Sequence, residues 1–444
     1  MSVLSTRRLS STDMSWRKST DYRGQKESEG MKEQKFTYHW IIVAAVFVMF
    51  AATVAIVVNC FSVFGPAIMK DLSFSATEIQ LVNLVCTFAN LIGGVFIGRI
   101  MMKFGIRLTL PVYAAIMCIG LFTRGLCNSM LTFCISALVM GLGLSGCSTI
   151  PGSMLINNWF TDKKGTATGI AFSGSVVGGL IFVQISKALV TAIGWRTANT
   201  YLSIIAAVLL IPTAIFVVRE KPSDKGMLPL GAEKSERNAE KPVLTGISTK
   251  AYLKTGSFWL LAFTSFGIGF CNLGMQNNVT ICLESELGHS ASFAANIFTI
   301  VMAVQIFGKI VLGAVYDKKG IKFGTVYNML LFLLSVAALI FARNIAMAVA
   351  FGTLFGMMCS MTTVTPPYLT ALIVGRRNYS SIYGLLSLFF GLGCAFGPVL
   401  AGKIFDATKS YTPAWIVFAV ISILLALTSI LSAKKAKGFA EMMD

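Results

Sequence analysis

Twelve apolar runs, each close to the length of a membrane-crossing helix, dominate this chain of 444 residues. A helix needs about 20 apolar residues to cross a hydrocarbon core of ~30 Å. The runs fall near 39–63, 77–101, 108–126, 131–157, 165–191 and 196–218, then 255–283, 291–316, 323–342, 346–374, 380–405 and 412–433. Backbone inside hydrocarbon must satisfy its own hydrogen bonds, so only helices or a closed barrel are open to it. The runs are continuous rather than alternating, which selects helices. Charged residues make up only 13% of the chain, against about 25% in soluble domains, so lipid is its expected solvent. The expected fold is an all-α integral membrane protein with twelve transmembrane helices in two six-helix halves.

The net charge of +18 would suit nucleic acid, but its distribution does not. With both termini placed inside, about 29 of the 37 lysines and arginines fall in the two tails, the central loop and loops 2–3, 4–5, 8–9 and 10–11. About seven sit at outer span ends, and Lys309 is left over. This is the positive-inside bias that orients membrane proteins. A nucleic-acid footprint needs a basic soluble surface, and no soluble domain is present to carry one. The expected location is a bacterial cytoplasmic membrane, multi-pass, with both termini cytoplasmic.

Residues 1–36 are polar, Ser-rich and mixed in charge. They read as a disordered cytoplasmic tail rather than a signal peptide, and Met31 is a plausible start in its own right. The first half is expected over 37–218, a cytoplasmic linker over 219–254, the second half over 255–433 and a tail over 434–444. The linker is long, charged and punctuated by Pro and Gly. "GRIMMKFGIR", Gly98 to Arg107, follows span 2, and "GAVYDKKGIK", Gly313 to Lys322, follows span 8. Both fit G-x-x-x-x-[KR]-x-G-x-[KR] at the same place in each half, the trace of a duplication. The first Gly (98, 313) permits close helix approach. Lys103, Arg107 and Lys318 hold the loop at the cytoplasmic face, and the second Gly (105, 320) makes the turn.

These paired loops resemble the signature between spans 2 and 3, and 8 and 9, of the major facilitator superfamily. "GLGLSGCSTIPGSMLINNWFTDKKGTATGIAFSGSVVGGLIF", Gly141 to Phe182, and "LIVGRRNYSSIYGLLSLFFGLGCAFGPVLAG", Leu372 to Gly402, resemble spans 4–5 and 10–11 of its oxalate/formate antiporter and monocarboxylate transporter branch. The resemblance covers nearly everything from about 36 to 433. The chain departs from the pattern at Met102, where the first loop signature usually has an acid; the second-half counterpart, Asp317, is present. The span 4 arginine and span 5 Gly-Pro of drug/proton antiporters are missing, which argues against multidrug efflux.

Some motifs mislead. "GLGLSG", Gly141 to Gly146, matches a dinucleotide fingerprint, but that fingerprint needs a preceding strand, and here small residues serve helix packing. "GPVLAGKI", Gly397 to Ile404, approaches a phosphate-binding loop, yet Ile404 stands where the hydroxyl should be. "NVT" at Asn278 falls in or at the end of span 7. The ten cysteines are scattered without CxxC pairing, and His39 and His289 lie at span ends. No cofactor, metal, nucleotide or nucleic-acid partner is expected, and the chain is expected to be monomeric in its bilayer.

Polar residues within the spans recur at helical spacings that place them on one face. Span 1 has Asn59 and Ser62; span 2 has Asn83, Thr87 and Asn90; span 7 has Asn272, Gln276 and Thr280, with Asn277 beside them; span 8 has Gln305 and Lys309. Amides in membrane bundles often only bond a neighbouring helix, for roughly 0.6–2 kcal/mol. Lysine at a helix centre costs about 2.5–3.5 kcal/mol on the insertion scale. Lys309 lies eight residues before Asp317, roughly 12 Å of helix, about twice the reach of a lysine stem. Snorkelling or a structural ion pair is one account of it. The other is a cation facing the central cavity as an anion site, and the resemblance favours this one. In the carboxylate-transporting branch a span 8 cation, usually arginine, stands at that position and is thought to bind the substrate carboxylate. The acid four residues earlier in proton-coupled monocarboxylate transporters is Gln305 here, and no second cation appears between Tyr383 and Gly397.

The expectation is an alternating-access transporter of a small organic anion, a monocarboxylate before others, not an enzyme. Lys309 and Gln305 with Asn272, Gln276, Asn59 and Asn83 are the expected substrate contacts. No acid lies well inside a span, so exchange or facilitated diffusion is favoured over proton symport. The alternatives are a larger amphipathic, bile-acid-like acid or a neutral solute. A transporter-like sensor or membrane enzyme would need a soluble domain or catalytic cluster that the sequence does not show.

Overall fold

A computed structural model describes residues 38–74, 76–232, 249–374 and 379–440. The N-terminal tail, the middle of the central linker, the basic pair of loop 10–11, the residues after 440 and the Ser62 side chain lie outside the described residues.

Among the described residues, ten helical rods are long and apolar enough to cross a membrane. Two of them, Lys164–Val217 and Ser292–Ile340, pass through a glycine in the left-handed region, Gly194 (φ 77°) and Gly320 (φ 73°). A side chain is strained at such a φ, and the chain reverses there, so each rod is two crossings. The twelve helices are α1 (Tyr38–Gly65), α2 (Leu81–Phe104), α3 (Ile106–Arg124), α4 (Met130–Trp159), α5 (164–193), α6 (195–217), α7 (Gly256–Glu286), α8 (292–319), α9 (321–340), α10 (Ile345–Val374), α11 (Tyr379–Thr408) and α12 (Thr412–Ala440). The last helix therefore continues past 433, where its apolar run ends: lysine and alanine are good helix formers and carry it on.

Each half has its own apolar core. Ile42, Phe50, Met117, Phe133, Trp159, Phe172 and Leu202 belong to the first, and Phe270, Ile297, Phe332, Phe355, Trp415 and Phe418 to the second. Leu108, Leu131, Val208, Phe216, Phe307 and Phe341 are among the large apolar side chains left on the outside. A soluble protein would have to cover such a surface; here it is the face that lipid solvates.

The halves meet along α5 with α8 and α2 with α11. A Cβ on Gly169 would collide with the Lys309 carbonyl, and one on Gly313 with the Gly165 carbonyl. A Cβ on Gly98 would run into the Ser380 backbone. Small residues let these backbones touch.

The start of the expected linker is ordered against the first half. Residues 219–232 are docked on the first half rather than free. Leu230 pairs with Phe160 in an isolated parallel bridge, its N–H donating to the Trp159 carbonyl at 2.9 Å while its own carbonyl accepts from Thr161 and Asp162 at 2.9 Å each. Trp159 Nε1 donates to the Arg219 carbonyl at 2.8 Å, and a His39 ring nitrogen bonds the Leu228 carbonyl at 2.9 Å. The Glu220 carboxylate accepts from Ile106 N–H at 3.0 Å, capping α3. Polarity told of water nearby; it could not tell that backbone groups would find partners.

Candidate substrate cavity between the two halves

A cavity of about 990 Å³ lies between the halves. Its wall takes Val57 and Phe61 from α1, Asn83, Thr87 and Asn90 from α2, and Ser145, Ser148 and Thr149 from α4. Facing these are Asn272, Gln276 and Asn277 of α7, Thr362 and Thr363 of α10, and Tyr383 and Ser387 of α11. On α2 the lining runs from Leu81 to Gly94, short of the signature loop, and on α7 and α11 it reaches Asn277 and Pro398. The cavity therefore opens on the face opposite the signature loops, and the signature face is shut.

Three of the expected contacts stand on this wall: Asn83, Asn272 and Gln276. Helical spacing brought Asn83, Thr87 and Asn90 together, as it did Asn272 and Gln276; Thr280 is not among the lining residues. Asn272 is buried, with Nδ2 3.6 Å from Met358 Sδ and Oδ1 3.8 Å from the Cys359 thiol. Tyr383, Ser148, Thr362 and Thr363 were not singled out in the sequence. Hydroxyl side chains within apolar runs are common and carry no distinguishing spacing, although the Thr363 Oγ1 is buried on this wall without a hydrogen-bond partner among the described residues.

Three expected contacts do not line the cavity. Asn59 closes a single π-helical turn in α1, Ala55–Asn59, which aims its Nδ2 at the Ser175 carbonyl, 3.3 Å away. Gln305 donates to the Cys359 carbonyl at 3.3 Å. Lys309 is only 1% exposed. Its ammonium crosses the interface between the halves and donates to the Phe172 carbonyl at 2.9 Å and to Ser175 Oγ at 3.0 Å, both on α5. In this conformation the Lys309 ammonium thus faces α5 and not the central cavity. Its ammonium also does not snorkel and makes no ion pair with an acid among the described residues. Hydrogen bonds to a charged group contribute about 1.5–3 kcal/mol each, so two of them offset an insertion cost of about 2.5–3.5 kcal/mol. Lys309 is linked to the cavity wall through Gln305, one turn before it on α8, whose partner Cys359 touches Asn272 of that wall.

The second signature closes the same seam. Asp317 accepts from Gly165 N–H at 2.8 Å, Thr166 N–H at 2.7 Å and Thr166 Oγ at 2.8 Å. A carboxylate at a helix N-terminus satisfies orphan donors and the helix dipole together. Gly105 and Gly320 take left-handed φ of 78° and 73° and form the reversals of the two signatures. Lys103, Arg107 and Lys318 are exposed. The first signature is the weaker fastening: Met102 replaces the acid and is 47% exposed, and the contact across is Ser380 Oγ donating to the Gly98 carbonyl at 3.3 Å. Asn278 of "NVT" is buried, bonded to Gly274 and Pro398 carbonyls and to the Tyr411 hydroxyl, so it is enclosed by the fold.

Known proteins match this arrangement. The chain is 25% identical over 440 residues to monocarboxylate transporter 12-B of Danio rerio, covering 91% of this chain and 90% of that one. It is 25% identical over 390 residues to a hexuronate transporter of Bacillus subtilis, covering 84% and 89%. The solved structure of the proton:xylose symporter XylE bound to 6-bromo-6-deoxy-D-glucose superposes with a TM-score of 0.68 at 14% identity, covering 88% of this chain and 95% of that one. The family model described as Major Facilitator Superfamily matches residues 41–342 and 273–438. A duplicated twelve-helix bundle closed around a central cavity, and matched by that model along nearly its whole length, belongs to the major facilitator superfamily of multi-pass membrane transporters.

Proposed function

We propose that this transporter carries a small organic anion, a monocarboxylate before others, across the cytoplasmic membrane by alternating access, with the signature face and both termini inside. The observation that carries the reading is Lys309: a buried ammonium at the seam between the halves, held by two neutral oxygens and linked to the cavity wall through Gln305 and Cys359. Relatives named for monocarboxylate and hexuronate transport agree with one anionic group per substrate.

The proposed cycle starts from this geometry. Opening the signature face parts α5 from α8, which removes both acceptors from Lys309. A buried ammonium stripped of its partners costs several kcal/mol. A substrate carboxylate entering past Asn272 replaces them, so the loaded carrier turns over and the empty one stays fastened. Asn83, Asn272 and Gln276 would read the rest of the substrate, Gln305 would steady Lys309, and Asn59 would hold the α5 segment that carries Ser175. Such a cycle favours exchange, and no Asp or Glu lines the cavity among the described residues to relay a proton.

A second reading has its own support: a cavity wall of amides and hydroxyls would also suit a neutral hydroxylated solute. Uptake of labelled carboxylates and of neutral polyols into proteoliposomes, with wild type, Lys309→Gln and Lys309→Arg, separates the two. Carboxylate uptake should fall at least about a hundredfold in Lys309→Gln, the order expected when a buried charge pair worth about 3–5 kcal/mol is broken, and should partly survive in Lys309→Arg. Normal carboxylate uptake by folded Lys309→Gln would sink the anion-anchor role.

A further inference from the structure

Arg124, the last residue of α3, is a second buried cation. By sequence position it belongs with the basic residues at outer span ends; in the structure it is 1% exposed. Its Nε and Nη2 both donate to Asn199 Oδ1 of α6, at 2.9 and 2.6 Å. The guanidinium carbon stands 5.0 Å from the ring centroid of Phe64, and Cys86, Cys60 and Cys127 are its electrostatic neighbours. No carboxylate pairs with it among the described residues, and Nη1 has no hydrogen-bond partner.

Arginine keeps its proton in proteins, so this is a permanent, uncompensated positive charge. Binding Asn199 does not require it, since that oxygen takes two donors from a group with five. Phe64, whose ring the guanidinium lies over, is one turn along α1 from Phe61 of the cavity wall, and its electrostatic neighbour Cys86 belongs to the same wall. The guanidinium is therefore one layer behind the wall. The wall has no charge of its own among the described residues, and Lys309 is engaged with α5. A charge in a low-dielectric wall projects its field into the adjoining water-filled cleft.

We infer that Arg124 is a specificity-determining residue that makes the open cavity favour anions over cations, acting from behind Cys86 while Lys309 is still held by α5. The inference deepens the proposed anion reading and rests on it for biological meaning, but its test does not depend on transport. Asn83, exposed on the same wall one turn from Cys86, is changed to cysteine as a reporter in the full-length protein in proteoliposomes. Rates of modification by a negatively and by a positively charged methanethiosulfonate of similar size are read at that residue by mass spectrometry. The anionic-to-cationic rate ratio should drop roughly tenfold in Arg124→Gln, the lower end of electrostatic steering effects. It should hold in Arg124→Lys, which keeps the charge but loses the paired hydrogen bonds to Asn199.

A merely structural arginine would lower thermal stability in both variants and leave the ratio unchanged, and that result would overturn the inference. If Arg124→Gln does not fold, the wild-type background still decides. The ratio at the Asn83→Cys reporter should exceed the ratio at Cys394, on the α11 side of the same cavity, and equal ratios would refute the role. A carboxylate uptake failure in wild type with the ratio effect intact would sink the proposed function alone.

Discussion

Lys309 and Ser175 join the two halves through one hydrogen bond, and in the proposed cycle that bond holds the empty carrier in its closed state. The lysine donates to a hydroxyl and a carbonyl across the seam between the halves, charge-assisted bonds that are stronger than neutral ones. Ser175→Ala removes one of those acceptors, at about 1.5–3 kcal/mol, and leaves the lysine in place. The expected outcome is a carrier that reorients more readily when empty, seen as increased uptake into vesicles lacking internal anion; unchanged uptake would mean the bond does not govern reorientation. The lysine was legible in the sequence because a cation in an apolar run is costly. Its partners were not, because a serine and a backbone carbonyl in a helix look like any others. Arg124 was hidden for the opposite reason: a basic residue at a span end has an easy explanation until the fold encloses it.

At the scale of elements, fastening of the signature face is unequal. Asp317 caps α5 with three hydrogen bonds, whereas Met102 at the matching place of the first half caps nothing and is exposed. Asp317→Ala should cost the closed signature face about 0.5–2 kcal/mol, the range for losing an N-cap. The distance distribution between spin labels at positions 163 and 318 should shift towards longer values, and an unaltered distribution would remove Asp317 from the gate. The repeat of G-x-x-x-x-[KR]-x-G-x-[KR] located both loops and the glycine reversals at 105 and 320. It did not reveal that the acid reaches 151 and 152 positions back along the chain to Thr166 and Gly165. Nor did it show that Glu220 caps α3, because such pairings are set by how helices stack and not by local spacing.

For the whole molecule, the cavity opens on one face while α5–α8 and α2–α11 shut the other. If leaving this state needs an anion for Lys309, labelled substrate should enter vesicles preloaded with unlabelled substrate much faster than empty ones. A membrane pH gradient alone should drive little uptake. Equal rates with and without internal anion would replace exchange by facilitated diffusion.

The sequence by itself determined the solvent, the twelve crossings, the duplication and the positions of its signature loops. These follow from the length and continuity of apolar runs and from local spacing, which a chain carries before it folds. It also placed Asn83, Asn272 and Gln276 on polar helix faces. Only the tertiary structure decided which faces meet at the cavity and which are spent on neighbours: Lys309 on α5, Gln305 on Cys359, Asn59 on Ser175. A helix period gives the direction of a side chain about its own axis, whereas water, lipid or another helix on that side is fixed by packing between residues 54 to 137 positions apart in these three cases.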